Sequence, residues 1–158
     1  MFTLVGSDAV KSPEVLNHTA LGLLRWEQEY EWWSTSLLLP SEMWLDVIVD
    51  PADQDRFEFL PRAAELFRWA LENERQILAE AIRSELLELF NDVWRRNEEP
   101  ALTGEDLTAR MEWTLLSVSG IENVPVEFGY HAGDLFGGHG VVVVVDRELR
   151  FADVDLRG

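Results

Sequence analysis

The chain has 158 residues, the usual size of one domain, and 47% of them are hydrophobic, with seven Trp and eight Phe for bulk. At this length one core buries roughly 70% of the unfolded chain's surface, and the absence of Cys excludes a disulfide framework, a thiolate zinc site and a cysteine nucleophile. Thirty acidic residues against thirteen basic ones give a formal charge of −17, which repels nucleic acid and anionic membranes and either attracts cationic partners or simply keeps the chain soluble.

Residues 1–19 carry no clear period around Pro13 and read as an extended arm or a short first strand. Residues 1–11 lack the basic start and apolar stretch of a signal peptide, and no window reaches the ~20 apolar residues of a membrane span, so a cytoplasmic location is expected. Residues 20–158 read as a single α+β domain. A first strand follows Ala20 through Leu21, Leu23 and Trp26, and a second occupies 30–39, rich in aromatic residues and Leu. In the third, Met43, Leu45, Val47 and Val49 alternate against Trp44, Asp46, Ile48 and Asp50, the period of a half-buried strand. Together they form a three-stranded meander.

The loop 50–55 concentrates Asp50, Asp53 and Asp55. Pro61 suits the first turn of a helix, and Ala63, Leu66, Phe67, Ala70 and Leu71 then share one face. Leu78, Ile82, Leu86 and Val93 repeat that spacing, with Asn73-Glu74 either joining two helices or lying within one kinked helix. The residues 97–100 are expected to end this stretch. Thr103 and Asp106 are placed as a capping box for a short helix ending near Arg110. Strands resume over 113–119, 126–130, 141–146 and 150–155, separated by Gly, Pro and polar turns.

The order of strands, two to three helices, then strands predicts an α+β fold: a mostly antiparallel sheet with helices packed on one face. The run of five valines at 141–145 predicts a central strand buried on both faces.

Three constellations bear chemistry. The loop Gly133-Asp134-Leu135-Phe136-Gly137-Gly138-His139-Gly140 is either a backbone cradle for a ligand or a tight connection with Phe136 in the core. It lacks the spacing and the Lys of a phosphate loop. His131, Asp134 and His139 offer imidazole and carboxylate to a divalent metal, without a helical or hairpin ligand spacing to support it. Trp32 and Trp33 point to opposite faces of a regular strand, one to the core and the other to the outer face or beneath a helix. An exposed Trp among Glu27, Glu29 and Glu31 is the composition of an anchor for an Arg- or Lys-rich partner. No Gly-x-Ser-x-Gly elbow marks a hydrolase.

The acidic loop after a strand, the segment Leu86-Leu87-Glu88-Leu89-Phe90-Asn91-Asp92-Val93-Trp94, and Gly133-Asp134-Leu135-Phe136-Gly137-Gly138-His139 before a Val-rich strand resemble a bacterial family of small acidic domains of unknown function. The resemblance spans about residues 15–158 and brings no catalytic residues with it. It implies an association with toxin genes, and hence an immunity role.

The expected function is a non-enzymatic acidic binding protein, of immunity or antitoxin type, that neutralises a basic protein such as a nuclease toxin. Its expected contacts are Trp32, Trp33, Asp50, Asp53, Asp55, Asp134, Phe136 and His139, with no cofactor. Two alternatives stand beside it: a metal-dependent hydrolase built on His131, Asp134 and His139, and a housekeeping interaction module.

Overall fold

Alternating strands on either side of one long helical stretch decide the architecture. In the computed structural model, which describes residues 14–158, β1 (Val15–His18), β2 (Gly22–Glu27), β3 (Trp32–Leu38) and β4 (Trp44–Asp50) form an antiparallel meander. A second meander is built from β5 (Glu112–Ser119), β6 (Val126–His131), β7 (Gly140–Val145) and β8 (Phe151–Arg157). β4 and β5 pair in parallel, joining the two meanders into one eight-stranded open sheet in sequential order. A parallel pair cannot be linked by a tight turn, so the helical stretch serves as its crossover.

The mostly antiparallel α+β expectation holds, and of the two to three helices expected the described residues show two: one long stretch that unites the residues on either side of Asn73-Glu74, and the expected short one. Helix α1 runs over 60–94: α-helical Leu60–Ala81, a π turn at Ile82–Leu86, Leu87–Leu89, and a second π turn at Phe90–Trp94. Asn73 does not break it, because its side-chain amide donates to the Trp69 carbonyl at 2.8 Å from within the helix. Pro61 sits in the first turn as expected. The helix stops earlier than the sequence implies, where Arg95 turns extended at φ −66°, ψ 133°. Helix α2 (Gly104–Arg110) carries the capping box: Asp106 N–H donates to Thr103 Oγ1 at 3.1 Å, and Thr103 N–H donates to Asp106 Oδ2 at 2.9 Å.

Of the two readings of 1–19, an extended arm or a short first strand, the described part is a strand, β1, which adds a fourth strand to the expected meander of three. The reading of residues 1–11 lies outside the described residues. Strand β3 starts at Trp32 and not at Tyr30, because Glu31 takes a left-handed turn conformation (φ 57°) without a glycine to advertise it.

Register sorts the side chains. Trp33, Val49, Val118, Val126 and Val145 form one row across the sheet, and Leu116, Phe128 and Val143 another. All are buried with Leu66, Phe67, Ala70, Leu78, Leu86 and Phe90 of α1 in a single core. Each such Val, Leu or Phe side chain contributes about 1.5–3 kcal/mol relative to exposure. β7 supplies Val141, Val143 and Val145 to that core, but it is the seventh of eight strands, not a central one. Val142 is buried on the opposite face because it flanks Gly129, a position where the Leu115 side chain closes over the missing Cβ. That opposite face has no covering element among the described residues.

Candidate functional site

The uncovered face begins with the period of two. Trp32, Ser34, Ser36 and Leu38 of β3 lie on it, beside Asp46, Ile48 and Trp44 of β4. At one end Leu38 pairs with Trp44, which is 62% exposed and thus places a large indole in solvent. At the other end Tyr30, 57% exposed, stacks on Trp32 with ring centroids 4.8 Å apart and planes 13° from parallel. From the Tyr30–Trp32 end a trough of about 800 Å³ runs as far as Ser36 and Asp46, short of Trp44, and its walls include Leu23, Arg25, Glu27, Ile48 and Leu115. The Ser34 hydroxyl donates to Glu27 at 2.8 Å and Ser36 donates to Asp46 at 3.3 Å, which orients both carboxylates. Exposed aromatic and apolar side chains thus lie among oriented carboxylates on this face.

The second meander continues the face with Glu127, Asp153 and Asp155. Its cation, Arg157, is engaged by Glu127 and Asp155, each at 2.8 Å. The exposed aromatic side chains therefore lie in the first meander and a net negative surface extends through the second.

The eight residues expected to contact a partner do not form one site. Trp32 lies on the open face, and Asp50 at the end of β4 shares it, accepting the Ala52 N–H at 2.9 Å. Asp53 is exposed on the following loop. Asp55 is a structural residue, since its Oδ1 accepts from the N–H groups of Phe57 and Glu58 at 2.9 and 3.0 Å and shapes the turn into α1. Trp33 is a core residue with 0% exposure, donating its indole N–H to the Arg56 carbonyl at 3.2 Å, so it is withdrawn as a contact. Phe136, also 0% exposed, is withdrawn for the same reason. Asp134 is exposed beside Trp94 and Arg96 on the helix side of the sheet. His139 donates from Nδ1 to the Phe136 carbonyl at 2.8 Å, and its ring lies 5.9 Å from Trp94. His131 accepts the Gly133 N–H at 3.4 Å. Among the described residues no three His, Asp or Glu side chains converge as a metal-holding group, the set His131, Asp134 and His139 included.

The two distinctive sequence segments meet each other. Phe136 packs edge-on against Phe90 and Trp94, at centroid distances of 6.0 and 6.3 Å. A Cβ at Gly137 would stand 2.8 Å from Cζ3 of Trp94, and the residue has φ 65°, so both space and backbone call for glycine. Asn91 holds the next loop through both backbone groups of Leu102, at 3.0 and 2.9 Å. The glycine-rich loop is a clasp on the last π turn of α1.

One buried polar pair has no counterpart in the sequence reading. The Tyr130 hydroxyl, on a residue 3% exposed, donates to Glu74 Oε2 at 2.7 Å. Burial raises the Glu74 carboxyl above the usual carboxylate range, although the Tyr130 bond and the Arg75 charge pull it down. Burial, with the Glu74 charge behind it, pushes the Tyr130 phenol well above its ordinary value. The available signal is a Glu three residues after Leu71 and four before Leu78, at the edge of α1's apolar stripe.

A family model described as an uncharacterized protein conserved in bacteria (DUF2262) matches residues 18–156. The chain belongs to the DUF2262 family. The match runs from the end of β1 into β8, so the open face and the clasp of this DUF2262 domain both lie within it. No curated protein and no solved structure matches the chain. No helix among the described residues is long and apolar enough to cross a membrane.

Proposed function

We propose that this domain is a non-catalytic binding protein that docks the open face of its sheet onto a cationic protein. The observation that carries the reading is the trough lined by the Trp32–Tyr30 stack, with exposed Trp44 beyond its far end, set in a face bearing Glu27, Asp46, Asp50, Glu127, Asp153 and Asp155 against Arg25 and Arg157. A net charge of −17 accelerates encounter with a cationic partner. Trp and Tyr then supply contact area, and their ring faces attract guanidinium and ammonium groups. Enzymes that grip phosphates have cationic clefts, and a nuclease toxin is one partner of this kind. Blocking such a cleft is the immunity role in physical terms.

The test uses three immobilised baits in native lysate at low salt: wild type, a Trp32→Ala/Trp44→Ala double variant, and a Glu65→Lys/Glu88→Lys variant altered on the helix. The expected result is a basic protein retained by the wild type and the helix variant, lost by the double Trp variant and released by raised salt. Equal retention by all three baits would remove the open face from the interface.

A further inference from the structure

A second cleft lies on the helix side of the sheet, away from the open face, and partner docking leaves it unused. It opens where α1, the end of α2, the start of β5 and the turn at 39–43 meet, and it measures about 740 Å³. A neighbouring recess of about 540 Å³ shares Leu39, Ser41, Glu74, Arg75 and Trp113 with it. The two form one groove, with Glu74 on the dividing wall.

The most buried polar contact in that groove is the Glu74–Tyr130 pair. Oε2 of Glu74 accepts the phenol hydrogen. Oε1 has no protein partner among the described residues, and no side-chain polar atom there is both buried and unpartnered, so Oε1 is reached by solvent on a residue that lines both recesses. A half-buried carboxylate with one open oxygen and no ion pair loses solvation without recovering it. Part of the surrounding wall is apolar: Leu39, Met43, Leu78 and Met111, with the Trp113 indole beside them. Trp113 spends its N–H on the Leu115 carbonyl at 2.9 Å, which leaves the ring as carbon surface.

We propose that this cleft binds a small organic monocation, an amine or amidine on an apolar body, with Glu74 as its counter-ion and Trp113 against the body. The chemistry follows from the wall. Arg75 acts on Glu74 only through space, and a bound cation gives it a direct ion pair, while an aromatic or aliphatic body fills the space between Met43, Leu78 and Met111. Arg75, Arg110 and Glu112 also line the cleft. Glu112 offsets one arginine, so charge alone does not select against a polyamine; its lack of an apolar body does, because Met43, Leu78 and Met111 are then left without a partner. Burial already raises the Glu74 carboxyl, and a bound cation draws it back down, so binding releases protons in mildly acidic buffer.

Isotope-labelled protein titrated with phenethylamine, 2-phenylethanol, phenylacetate and spermidine tests this. Phenethylamine is expected to shift the Trp113 indole N–H and the amides around Glu74 and Met111 saturably, and to bind at least about tenfold more tightly than the alcohol or the acid. Spermidine is expected to be the weaker amine at these resonances. Glu74→Gln should weaken phenethylamine by about tenfold or more while leaving 2-phenylethanol unchanged. If that variant does not fold, the comparison of amine with alcohol on the wild type decides alone. Equal affinity for amine and alcohol, or no saturable shift at Trp113 and Glu74, would overturn the proposal.

Discussion

The two faces of this sheet are made from the same strands and lead opposite lives, and the adjacent Trp32 and Trp33 show why. Trp33 has 0% exposure, meets Trp26 edge-on at 5.1 Å and lies beneath the Arg56 guanidinium. Trp32, one residue earlier, stacks on Tyr30 at the rim of the open trough. A single step along a pleated strand exchanges core for surface. Identical residue chemistry thus serves stability on one face and, in the proposed function, recognition on the other.

The largest expected effect breaks the comparison if it fails. Trp33→Ala should cost about 3–5 kcal/mol in chemical denaturation, the usual loss for a large buried aromatic. Trp32→Ala should stay within about 1 kcal/mol of wild type. Equal losses would mean that Trp32 is as much a part of the fold as its neighbour.

A smaller effect separates backbone need from steric need in the clasp. Gly133 and Gly137 both have positive φ, 57° and 65°, but only a Cβ at Gly137 meets the Trp94 ring. Gly137→Ala should therefore destabilise by about 2–3 kcal/mol and Gly133→Ala by about 1 kcal/mol. Trp94→Leu in the Gly137→Ala background should recover part of the loss, since it removes the atoms that the new methyl meets.

The smallest effect is electrostatic. Glu74 has its carboxyl raised in the folded state, so its contribution to stability is full below its ordinary value of 4.5 and is lost as pH rises through the folded value. Glu74→Gln removes that titration and keeps an acceptor for Tyr130. Relative to wild type, the variant should melt at a higher temperature at neutral pH than it does below pH 4.5, where the two should converge. A difference that does not change with pH would place the cost of Glu74 elsewhere.

Much of this is legible in local pattern. The alternation of Met43 to Asp50 separates Leu45, Val47 and Val49 from Trp44, Asp46, Ile48 and Asp50 as the structure does, and the Thr103–Asp106 box needs only three residues of separation. Trp44 falls on the correct face in that alternation, yet nothing local marks it as an anchor. What local pattern cannot supply is pairing over distance. The parallel join of β4 to β5, the meeting of Trp94 with Gly137, and the Glu74–Tyr130 bond across fifty-six positions depend on where α1 returns the chain. The clasp explains why its segments are distinctive in sequence: Phe90, Asn91, Trp94, Phe136 and Gly137 each fix a contact. Their distinctiveness is a packing signal, and expecting a partner contact at Phe136 treats it as a binding signal.

The measurement closest to the central claim is a titration of labelled protein with an arginine-rich peptide at low salt, following side-chain indole and backbone resonances. The Trp32 and Trp44 indoles and the amides of Ser34, Asp46 and Ile48 are expected to move together and saturate, and added salt is expected to reverse the change. Shifts spread over helix carboxylates such as Glu65 and Glu88, with both indoles unmoved, would contradict the docking face and reduce the acidity of the chain to a solvated surface.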